Sequence, residues 1–313
     1  MMNSPIDSAN AMRWRVGLLG YGEVGKILAE DLRERDVSVE MYDLKLENEA
    51  GGAMRDHARA HGVRIARDHV ALAADADLVI SAVTASQAVA AAHACSQSLE
   101  NDRFFLDLNS ASPGAKISAA AIVHQRGGRY VEGAVMTSVP PFRIAVPLLL
   151  GGPHADALAP PLRPLGFNAK VCSDTLGVAS ATKMCRSVII KGLEAMVIES
   201  FTTARAWGVE DQVIASLVET FPGVRWDEQG AYFFHRVIEH GRRRAEEMFE
   251  AAETVREAGL DPWSARGAAQ RQAWVADLAT RGVFERESAS KRPADWRIHA
   301  DRILAERSAG EKS

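Results

Sequence analysis

Short apolar runs and amphipathic stretches alternate through the first half of the chain. Each apolar run predicts a strand, because about four to eight apolar residues bounded by turn residues are typical of buried strands. These strands cover residues 15–19, 37–42, 63–65, 76–83, 103–108, 129–135, 143–152 and 168–172. The stretches between the runs have apolar residues at helical spacing. Strands that alternate with helices indicate βαβ units, so we predict an α/β domain with a mostly parallel, doubly wound sheet.

Beyond Asp174 the apolar positions follow a helical period, and no convincing strand is evident. We therefore predict two domains, an α/β domain over residues 13–174 and an all-helical domain over residues 175–308. Glycine and proline residues predict the breaks between the helices of the second domain. These breaks are placed at Gly208, Pro222, Gly223, Gly241, Gly259 and Pro262.

The composition is that of an ordinary globular protein, with 47% hydrophobic and 25% charged residues in a chain of 313. A formal net charge of -4 gives no electrostatic reason to expect nucleic acid or an anionic membrane as a partner. No apolar run approaches the roughly 20 residues that span a bilayer, and the first residues lack the apolar run of a secretory signal. These features predict a cytoplasmic protein.

The first predicted strand leads into a G-x-G-x-x-G segment. Its residues are Gly20, Tyr21, Gly22, Glu23, Val24 and Gly25. A dinucleotide-binding loop requires a strand before this motif, a helix after it and an acid about 20 residues on, and Asp43 stands 18 residues after the last glycine. In such loops the first glycine permits the turn, the second lets the pyrophosphate approach the backbone, and the third lets the helix pack on the strand. The segment therefore predicts a Rossmann domain that binds NAD.

The choice between NAD and NADP depends on two residues that follow the second predicted strand. Asp43 would accept hydrogen bonds from the ribose hydroxyls and repel a 2′-phosphate, which favours NAD. NADP is not excluded, because Lys45 could reach a 2′-phosphate. After another strand, Val83 and Thr84 stand at the carboxyl edge of the sheet, where ligands of open α/β folds bind. Thr84 is either a contact of the nicotinamide ribose or a plain loop residue.

A lysine stands early in the first helix of the second predicted domain. The segment GVASATK begins at Gly177 and places Lys183 beside the apolar face of that helix. A partly buried lysine has a lowered pKa, which suits it to proton transfer. A surface lysine instead packs its apolar stem on the protein and keeps its ammonium group in water. The spacing alone leaves both interpretations open.

Four short segments are informative because of their order along the chain. They are GLLGYGEVG, LDLNSASP, VEGAVMTSVPPFRIAVPLLLGG and GVASATK. In the same order, they resemble the glycine-rich start, the D-x-S-T-x-x-P stretch, the substrate loop and the G-x-G-x-x-x-K lysine motif of the β-hydroxyacid dehydrogenases. That family includes 3-hydroxyisobutyrate dehydrogenase and 6-phosphogluconate dehydrogenase. The resemblance covers roughly residues 13–200.

The resemblance implies an NAD(P)-dependent oxidoreductase that transfers a hydride between nicotinamide and a small, hydroxyacid-like substrate. Lys183 would be the general acid–base, with Ser187 as a second catalytic residue. The implied cofactor contacts are Gly20, Tyr21, Gly22, Glu23, Val24, Gly25, Asp43, Val83, Thr84 and Asn109. The implied substrate contacts are Ser110, Thr137, Ser138 and Arg143.

The chain departs from the family's pattern at several positions that concern the substrate. The family usually has asparagine where this chain has Ser187, and the 6-phosphogluconate relatives have glutamate where this chain has Ile190. Pro140 and Pro141 offer no N–H donor to a substrate carboxylate. Arg143 either pairs with a substrate anion or simply flanks a strand. These departures leave the identity of the substrate open.

The segment over residues 240–262 resembles a variant all-helical C-terminal domain of unknown function that some of these dehydrogenases carry. Relatives are commonly dimers or tetramers built through their helical domain, so a homo-oligomer is implied, and the sequence alone does not fix the number of subunits. The role of the segment from His240 to Arg244 is not defined by the sequence.

Two alternatives to a dehydrogenase remain open. One is an imine reductase on the same scaffold, although such relatives often carry another residue at the position of Lys183. The other is a nicotinamide-binding sensor without turnover, because the family's asparagine is missing.

His57 and His61 are spaced i,i+4, but the segment is predicted to be an exposed helix with no third ligand in view, so no metal site is predicted.

Overall fold

The computed structural model describes residues 8–49, 51–99, 103–284 and 295–310. Two compact units make up the chain, Met1–Lys183 and Met184–Ser313. The division lies inside a helix, whereas the predicted domain boundary stands before that helix begins, at residue 175.

The first unit contains one eight-stranded sheet. Its strands are β1 (Arg15–Leu19), β2 (Ser38–Tyr42), β3 (Arg64–Ile65), β4 (Leu78–Ser81), β5 (Phe104–Asp107), β6 (Arg129–Val135), β7 (Leu148–Gly151) and β8 (Ala169–Ser173). They lie in the order β3-β2-β1-β4-β5-β6-β7-β8, and every neighbouring pair is parallel except β6–β7. The predicted doubly wound, mostly parallel sheet is therefore confirmed.

Helices connect these strands and cover both faces of the sheet. They are α1 (Glu23–Arg33), α2 (Gly51–Ala60), α3 (His69–Asp75), α4 (Ala88–Ser96), α5 (Pro113–Gln125) and α6 (Ala155–Leu162). The alternation of side chains along a strand divides the core between the two faces, since Leu18 belongs to one apolar cluster and Leu19 to the other. At the start of α5, Ser112 accepts the amide of Ala115 at 3.3 Å, which caps the helix.

The predicted strand over residues 143–152 is too long. Only Leu148–Gly151 forms strand, paired antiparallel with residues 132–135 of β6, and Arg143–Ala145 forms a 3-10 turn instead. Pro147 has no N–H group for a sheet, and Arg143 has a positive φ of 52°, which a strand does not allow. The segment before β7 is therefore a loop.

Helices make up the described part of the second unit. Helix α7 (Val178–Trp207) begins in the first unit, and it is followed by α8 (Glu210–Thr220), α9 (Trp226–Glu257), α10 (Trp263–Thr280) and α11 (Trp296–Gly310). The predicted break at Gly241 is wrong, because α9 continues through it. A Cβ at Gly241 would lie 2.9 Å from the carbonyl oxygen of Gln272, so this glycine allows close packing of α9 on α10. Among the described residues, no helix combines the length and the apolar content that crossing a bilayer requires.

Candidate active site

The loop after β1 owes its shape to two of its three glycines. Gly20 has φ +89°, and a Cβ there would lie 2.6 Å from the carbonyl oxygen of Ala82. A Cβ on Gly25 would overlap the carbonyl oxygen of Gly20. Gly22 is different, because a Cβ there would meet no atom within 4 Å. The chain's own packing thus requires the first and third glycines, and the second leaves the backbone open to a ligand.

Helix α1 begins directly in this loop. Glu23 is its first residue, Val24 its second, and Gly22 stands at the N-cap without a side chain that could accept an amide hydrogen. The first-turn amides of a helix have no intrahelical acceptor, and the helix dipole adds partial positive charge at this end. The donors and the open backbone at Gly22 therefore fit the pyrophosphate of a dinucleotide.

Asp43, immediately after β2, is held against the same loop. Its Oδ2 accepts the amide of Tyr21 at 2.7 Å, and its Oδ1 accepts the amide of Lys45 at 2.8 Å. Each carboxylate oxygen retains a second lone-pair direction. The half-buried carboxylate therefore stands beside the loop with capacity for ribose hydroxyls, while Lys45 is exposed.

The carboxyl ends of β4 and β5 supply the next predicted contacts. Val83 is half-buried and Thr84 is exposed, with its Oγ1 3.3 Å from Ser86 Oγ. Asn109 is buried, and its Nδ2 donates to Ser81 Oγ at 2.9 Å. Its Oδ1 is buried and has no hydrogen-bond partner among the described residues. Because an unpaired buried acceptor is costly, Asn109 Oδ1 fits a donor group on a bound ligand.

A buried ionic network lies beneath Asn109. The Nζ atom of Lys116 lies 2.9 Å from Asp107 Oδ1, and the hydroxyl of Tyr130 donates to Asp107 Oδ2 at 2.8 Å. Burial, with the Asp107 charge second, raises the pKa of Tyr130 well above its ordinary value, so the phenol keeps its proton. Asp107 also accepts the amide of Asn109 at 2.8 Å. The network therefore fixes the chain that leads to Ser110, and sequence analysis did not identify it.

The predicted catalytic lysine and one predicted substrate residue are brought together. Lys183 Nζ donates a hydrogen bond of 2.5 Å to Ser110 Oγ, and both residues are half-buried. Lys183 lies in the second turn of α7, and Ser110 lies in the loop between β5 and α5. An amine with this reach and this partner can exchange a proton with a hydroxyl group bound beside it.

Glu132 on β6 holds the start of α7, and sequence analysis missed it. Its fully buried carboxylate accepts the amide of Gly177 at 2.9 Å and the amide of Ala179 at 2.6 Å. The hydroxyl of Ser180 lies 3.3 Å from the same carboxylate. A negative charge at a helix N-terminus is stabilising, so Glu132 fixes the helix that carries Lys183. The signal was a lone acid inside the buried run VEGAV.

The other predicted substrate contacts have different environments. Thr137 is exposed and Ser138 is half-buried in the loop that follows β6. The guanidinium of Arg143 is engaged within the first unit, because it donates to Asp31 Oδ1 and to Glu30 Oε2, each at 2.7 Å. The hydrogen bond from Arg143 lowers the pKa of the Glu30 carboxyl, which stays ionised.

Ser187 belongs to the second unit and lies in a polar group of that unit. It is buried and accepts a hydrogen bond of 3.1 Å from Lys191 Nζ, which also lies 2.6 Å from Glu247 Oε2. Arg244 is buried as well, and its Nε donates to Glu194 Oε2 at 2.8 Å. Within the segment from residue 240 to 244, Arg244 therefore joins α9 to α7.

One further group contradicts the sequence analysis. Glu30, His57 and His61 each offer a ligand atom to the others, within 4.8 Å. His57 is half-buried rather than exposed. The expectation that no third ligand accompanies His57 and His61 is therefore wrong, because Glu30 of α1 lies beside them in the folded chain.

Comparisons with known proteins agree with this architecture. The family model for the NAD binding domain of 6-phosphogluconate dehydrogenase matches residues 15–158, and the model for a domain of unknown function (DUF1932) matches residues 204–275. A conserved hypothetical protein from Sinorhizobium meliloti 1021 has a similar solved structure, with 35% identity and a TM-score of 0.75. The alignment covers 96% of this chain and 100% of that chain.

Two further solved structures extend the comparison. Conserved protein MTH1747, described as structurally similar to 3-hydroxyacid dehydrogenases, is 29% identical with a TM-score of 0.67, over 86% of this chain and 99% of that chain. A 3-hydroxyisobutyrate dehydrogenase from Mycobacterium tuberculosis, solved with L-serine, is 18% identical with a TM-score of 0.63. The alignment covers 93% of this chain and 99% of that chain. At that identity the similarity shows the fold alone. The same holds for a reductive aminase from Aspergillus terreus in complex with NADPH and ethyl levulinate, at 18% identity and a TM-score of 0.53, over 94% of this chain and 99% of that chain.

The sheet, the glycine loop and these matches define a protein that has a nicotinamide dinucleotide-binding type of domain and the fold of the hydroxyacid dehydrogenases. The chain belongs to the family that joins an NAD-binding domain of the 6-phosphogluconate dehydrogenase type to a DUF1932 domain. The resemblance that the sequence motifs indicate is confirmed.

Proposed function

We propose that the protein is an NAD(P)-dependent oxidoreductase that acts on a small hydroxy compound, with Lys183 as the general acid–base. The observation that carries this proposal is the 2.5 Å hydrogen bond from Lys183 Nζ to Ser110 Oγ, in the unit that contains the glycine loop. Alcohol oxidation needs a group that takes the hydroxyl proton and a cofactor that takes the hydride. The first unit contains a lysine suited to the first task and a loop that fits a dinucleotide for the second.

A nicotinamide dinucleotide, when bound, supplies the hydride acceptor or donor. In the oxidative direction the neutral amine of Lys183 takes the proton of the substrate hydroxyl while the carbon gives up its hydride, and a carbonyl forms. In reduction the ammonium of Lys183 returns that proton to the oxygen. Ser110 holds the amine in position, and Thr137 and Ser138 add hydroxyl groups that orient the substrate. Ser187 stays a prediction from the resemblance.

The proposed cofactor is NAD, held by the loop of residues 20–25 and by Asp43. Gly22 admits the pyrophosphate, and Asp43 accepts the ribose hydroxyls with the lone pairs that Tyr21 and Lys45 leave. Val83 and Thr84 would contact the nicotinamide ribose, and the buried Oδ1 of Asn109, which has no partner among the described residues, would accept a hydrogen bond from the cofactor. NADP is the competing cofactor, because the reductive aminase that shares this fold was solved with NADPH.

An imine reductase is the second candidate, favoured by the shared fold of the Aspergillus terreus reductive aminase. The difference between the two activities lies in the reacting bond. A dehydrogenase must exchange the proton of a hydroxyl oxygen, for which Lys183 is suited, whereas an imine reductase delivers hydride to a C=N carbon. A screen that records which class of substrate changes the nicotinamide absorbance distinguishes the two activities.

The test uses the full chain and compares Lys183→Met with Lys170→Met, which alters an exposed lysine on β8 of the same unit. Hydroxyacids, amino alcohols and cyclic imines are screened by nicotinamide absorbance, and NADH affinity is measured by fluorescence titration. We expect Lys183→Met to lower kcat roughly 10²- to 10⁴-fold, the usual share of a general acid–base, with NADH affinity almost unchanged. The Lys170→Met variant should resemble the wild type.

Two results would contradict the proposal. Full turnover by Lys183→Met would remove the lysine from the chemistry. Tight NADH binding without turnover of any compound in the panel would instead favour the nicotinamide-binding sensor.

A further inference from the structure

Three metal-ligating side chains meet in the first unit, away from Lys183 in the sequence and assigned no role in the proposed reaction. Glu30 comes from α1, His57 from α2, and His61 follows the end of α2. Each offers one ligand atom, and the three atoms lie within 4.8 Å of one another. Glu30 and His57 are half-buried, and His61 is exposed, so the group is open to solvent on one side.

Side-chain contacts already hold these three residues together. His57 and His61 are spaced i,i+4, which places both rings on one side of α2, and the rings stack with centroids 4.4 Å apart. Arg33 of α1 donates to the carbonyl oxygen of His61 at 3.3 Å, and this contact ties the end of α2 to α1. His57 Nε2 lies 2.9 Å from Glu30 Oε1. Two helices thus converge on a common point.

The outer contacts are those that ligands of a metal ion usually have. The hydroxyl of Tyr21, which is fully buried, lies 3.1 Å from His57 Nδ1. A histidine ligand normally uses its other ring nitrogen in such a hydrogen bond, which fixes the orientation of the ring. Arg143 Nη2 donates to Glu30 Oε2 at 2.7 Å, so the carboxylate is oriented with Oε1 directed at His57. Ligating carboxylates are hydrogen-bonded in the same manner.

We propose that Glu30, His57 and His61 form a binding site for a divalent transition-metal ion of the zinc class. Two imidazoles and one carboxylate suit Zn²⁺, Co²⁺ or Ni²⁺, whereas Mg²⁺ and Ca²⁺ prefer oxygen ligands alone. A neutral His57 that binds the ion through Nε2 carries its one proton on Nδ1, where it donates to the hydroxyl oxygen of Tyr21. Water completes a tetrahedron on the exposed side.

The geometry requires only small side-chain movements. Zinc bonds of about 2.0–2.2 Å in a tetrahedron place neighbouring ligand atoms about 3.3–3.5 Å apart. His57 Nε2 and Glu30 Oε1, now 2.9 Å apart, must separate slightly, and the exposed ring of His61 must move closer. The bound ion joins α1 to α2 behind Tyr21, whose amide holds Asp43. Its role is therefore to brace the glycine loop rather than to take part in the proposed reaction.

The test is a zinc titration of the full chain without a polyhistidine tag, in competition with a coloured chelator. We expect the wild type to bind one zinc ion per chain at this site. His61→Gln, which changes an exposed side chain, should weaken binding at least roughly 100-fold, because loss of a ligand costs no less than loss of an outer contact. Tyr21→Phe should weaken binding about 10-fold. His93→Gln, which changes an exposed histidine on α4, should bind zinc like the wild type.

Further variants and measurements keep other zinc sites from being mistaken for this one. His240→Gln tests the histidines beside Glu239 in the second unit, and the double variant Cys172→Ser, Cys185→Ser tests the exposed thiols. Both should retain the zinc ion that His61→Gln loses. Circular dichroism without metal should be the same for His61→Gln and the wild type. Equal zinc binding by His61→Gln and the wild type, or no saturable binding by the wild type, would overturn the proposal and leave the proposed reaction untouched.

Discussion

The carboxylate of Glu132 accepts the amide hydrogen of Gly177 at 2.9 Å, 45 residues further along the chain. This contact joins the middle of β6 to the start of the helix that carries Lys183. The same carboxylate accepts the amide of Ala179, and no exposed surface remains on Glu132. A negative charge is thus held in the interior by helix amides.

We expect Glu132→Gln to destabilise the first unit by about 1–3 kcal/mol, the cost of leaving buried polar groups unsatisfied. The glutamine amide would present an NH₂ group to one of the two amides that now donate to the carboxylate, and the charge that favours the helix N-terminus would be lost. Urea unfolding of both proteins measures the difference. Glu34→Gln, at an exposed position after α1, should stay within about 0.5 kcal/mol of the wild type. A Glu132→Gln variant as stable as Glu34→Gln would contradict this account.

Ser110→Ala should lower kcat/KM about 10- to 100-fold, because the hydrogen bond that holds the Lys183 amine is lost. A hydrogen bond to a charged group contributes about 1.5–3 kcal/mol, which corresponds to that range in rate. Steady-state kinetics on the best compound of the substrate panel measures the effect. Ser110→Thr keeps a hydroxyl group and should recover part of the rate. Ser118→Ala, on the exposed side of α5, is the matched control. If Ser110→Ala keeps the full rate, the lysine does not depend on this contact.

The wild type should bind NADH more tightly than NADPH by about tenfold or more, because in the proposed binding mode the Asp43 carboxylate would repel a 2′-phosphate on the adenosine ribose. Asp43→Ala should weaken NADH binding and bring the two affinities together. Lys45→Ala should weaken NADPH alone, since the lysine is exposed and its side chain is not required by the loop. Fluorescence titration with both cofactors measures all three proteins. Tighter binding of NADPH by the wild type would show that Lys45, not Asp43, decides the choice.

Much of the first unit follows from local sequence patterns. The strands and the loop of residues 20–25 depend on neighbouring residues, so periodicity and glycine spacing predict them. Gly241 shows the limit of this approach. A glycine within a helical pattern predicts a break, but the space that Gly241 leaves is used by Gln272 and Ala276 of α10. That use depends on a partner far along the chain.

The residues that sequence analysis missed have partners distant in the sequence. Asp107 is buried because Lys116 and Tyr130 satisfy it, and nothing local to Asp107 announces the pairing. Likewise, the i,i+4 spacing of His57 and His61 is visible in the sequence, but Glu30 reaches them only once α1 and α2 are packed. A lone acid within an apolar run, as at Asp107 in FFLDL and at Glu132 in VEGAV, predicts a buried acid but does not identify its partner.

His124, at the end of α5, should make the first unit less stable in mild acid. Burial lowers the pKa of its imidazole, against an opposing hydrogen bond with the backbone of Tyr130. The buried Nε2 has no hydrogen-bond partner among the described residues, so the folded protein disfavours the charged form of this ring. In the unfolded chain a histidine takes up a proton near its ordinary pKa of about 6.5. Below that pH the unfolded state binds more protons, and stability therefore falls as the pH falls toward the lowered pKa of the folded state.

The measurement is urea unfolding of the wild type and His124→Gln at pH 8 and at pH 5.5. We expect the wild type to lose more stability than the variant between these values, because glutamine takes up no proton in either state. His93→Gln, at an exposed position on α4, is the matched control and should keep the pH dependence of the wild type. Equal losses for the wild type and His124→Gln would mean that burial at this position does not discriminate against the charged ring. The acid sensitivity would then have to come from other groups, such as His69, whose pKa burial also lowers.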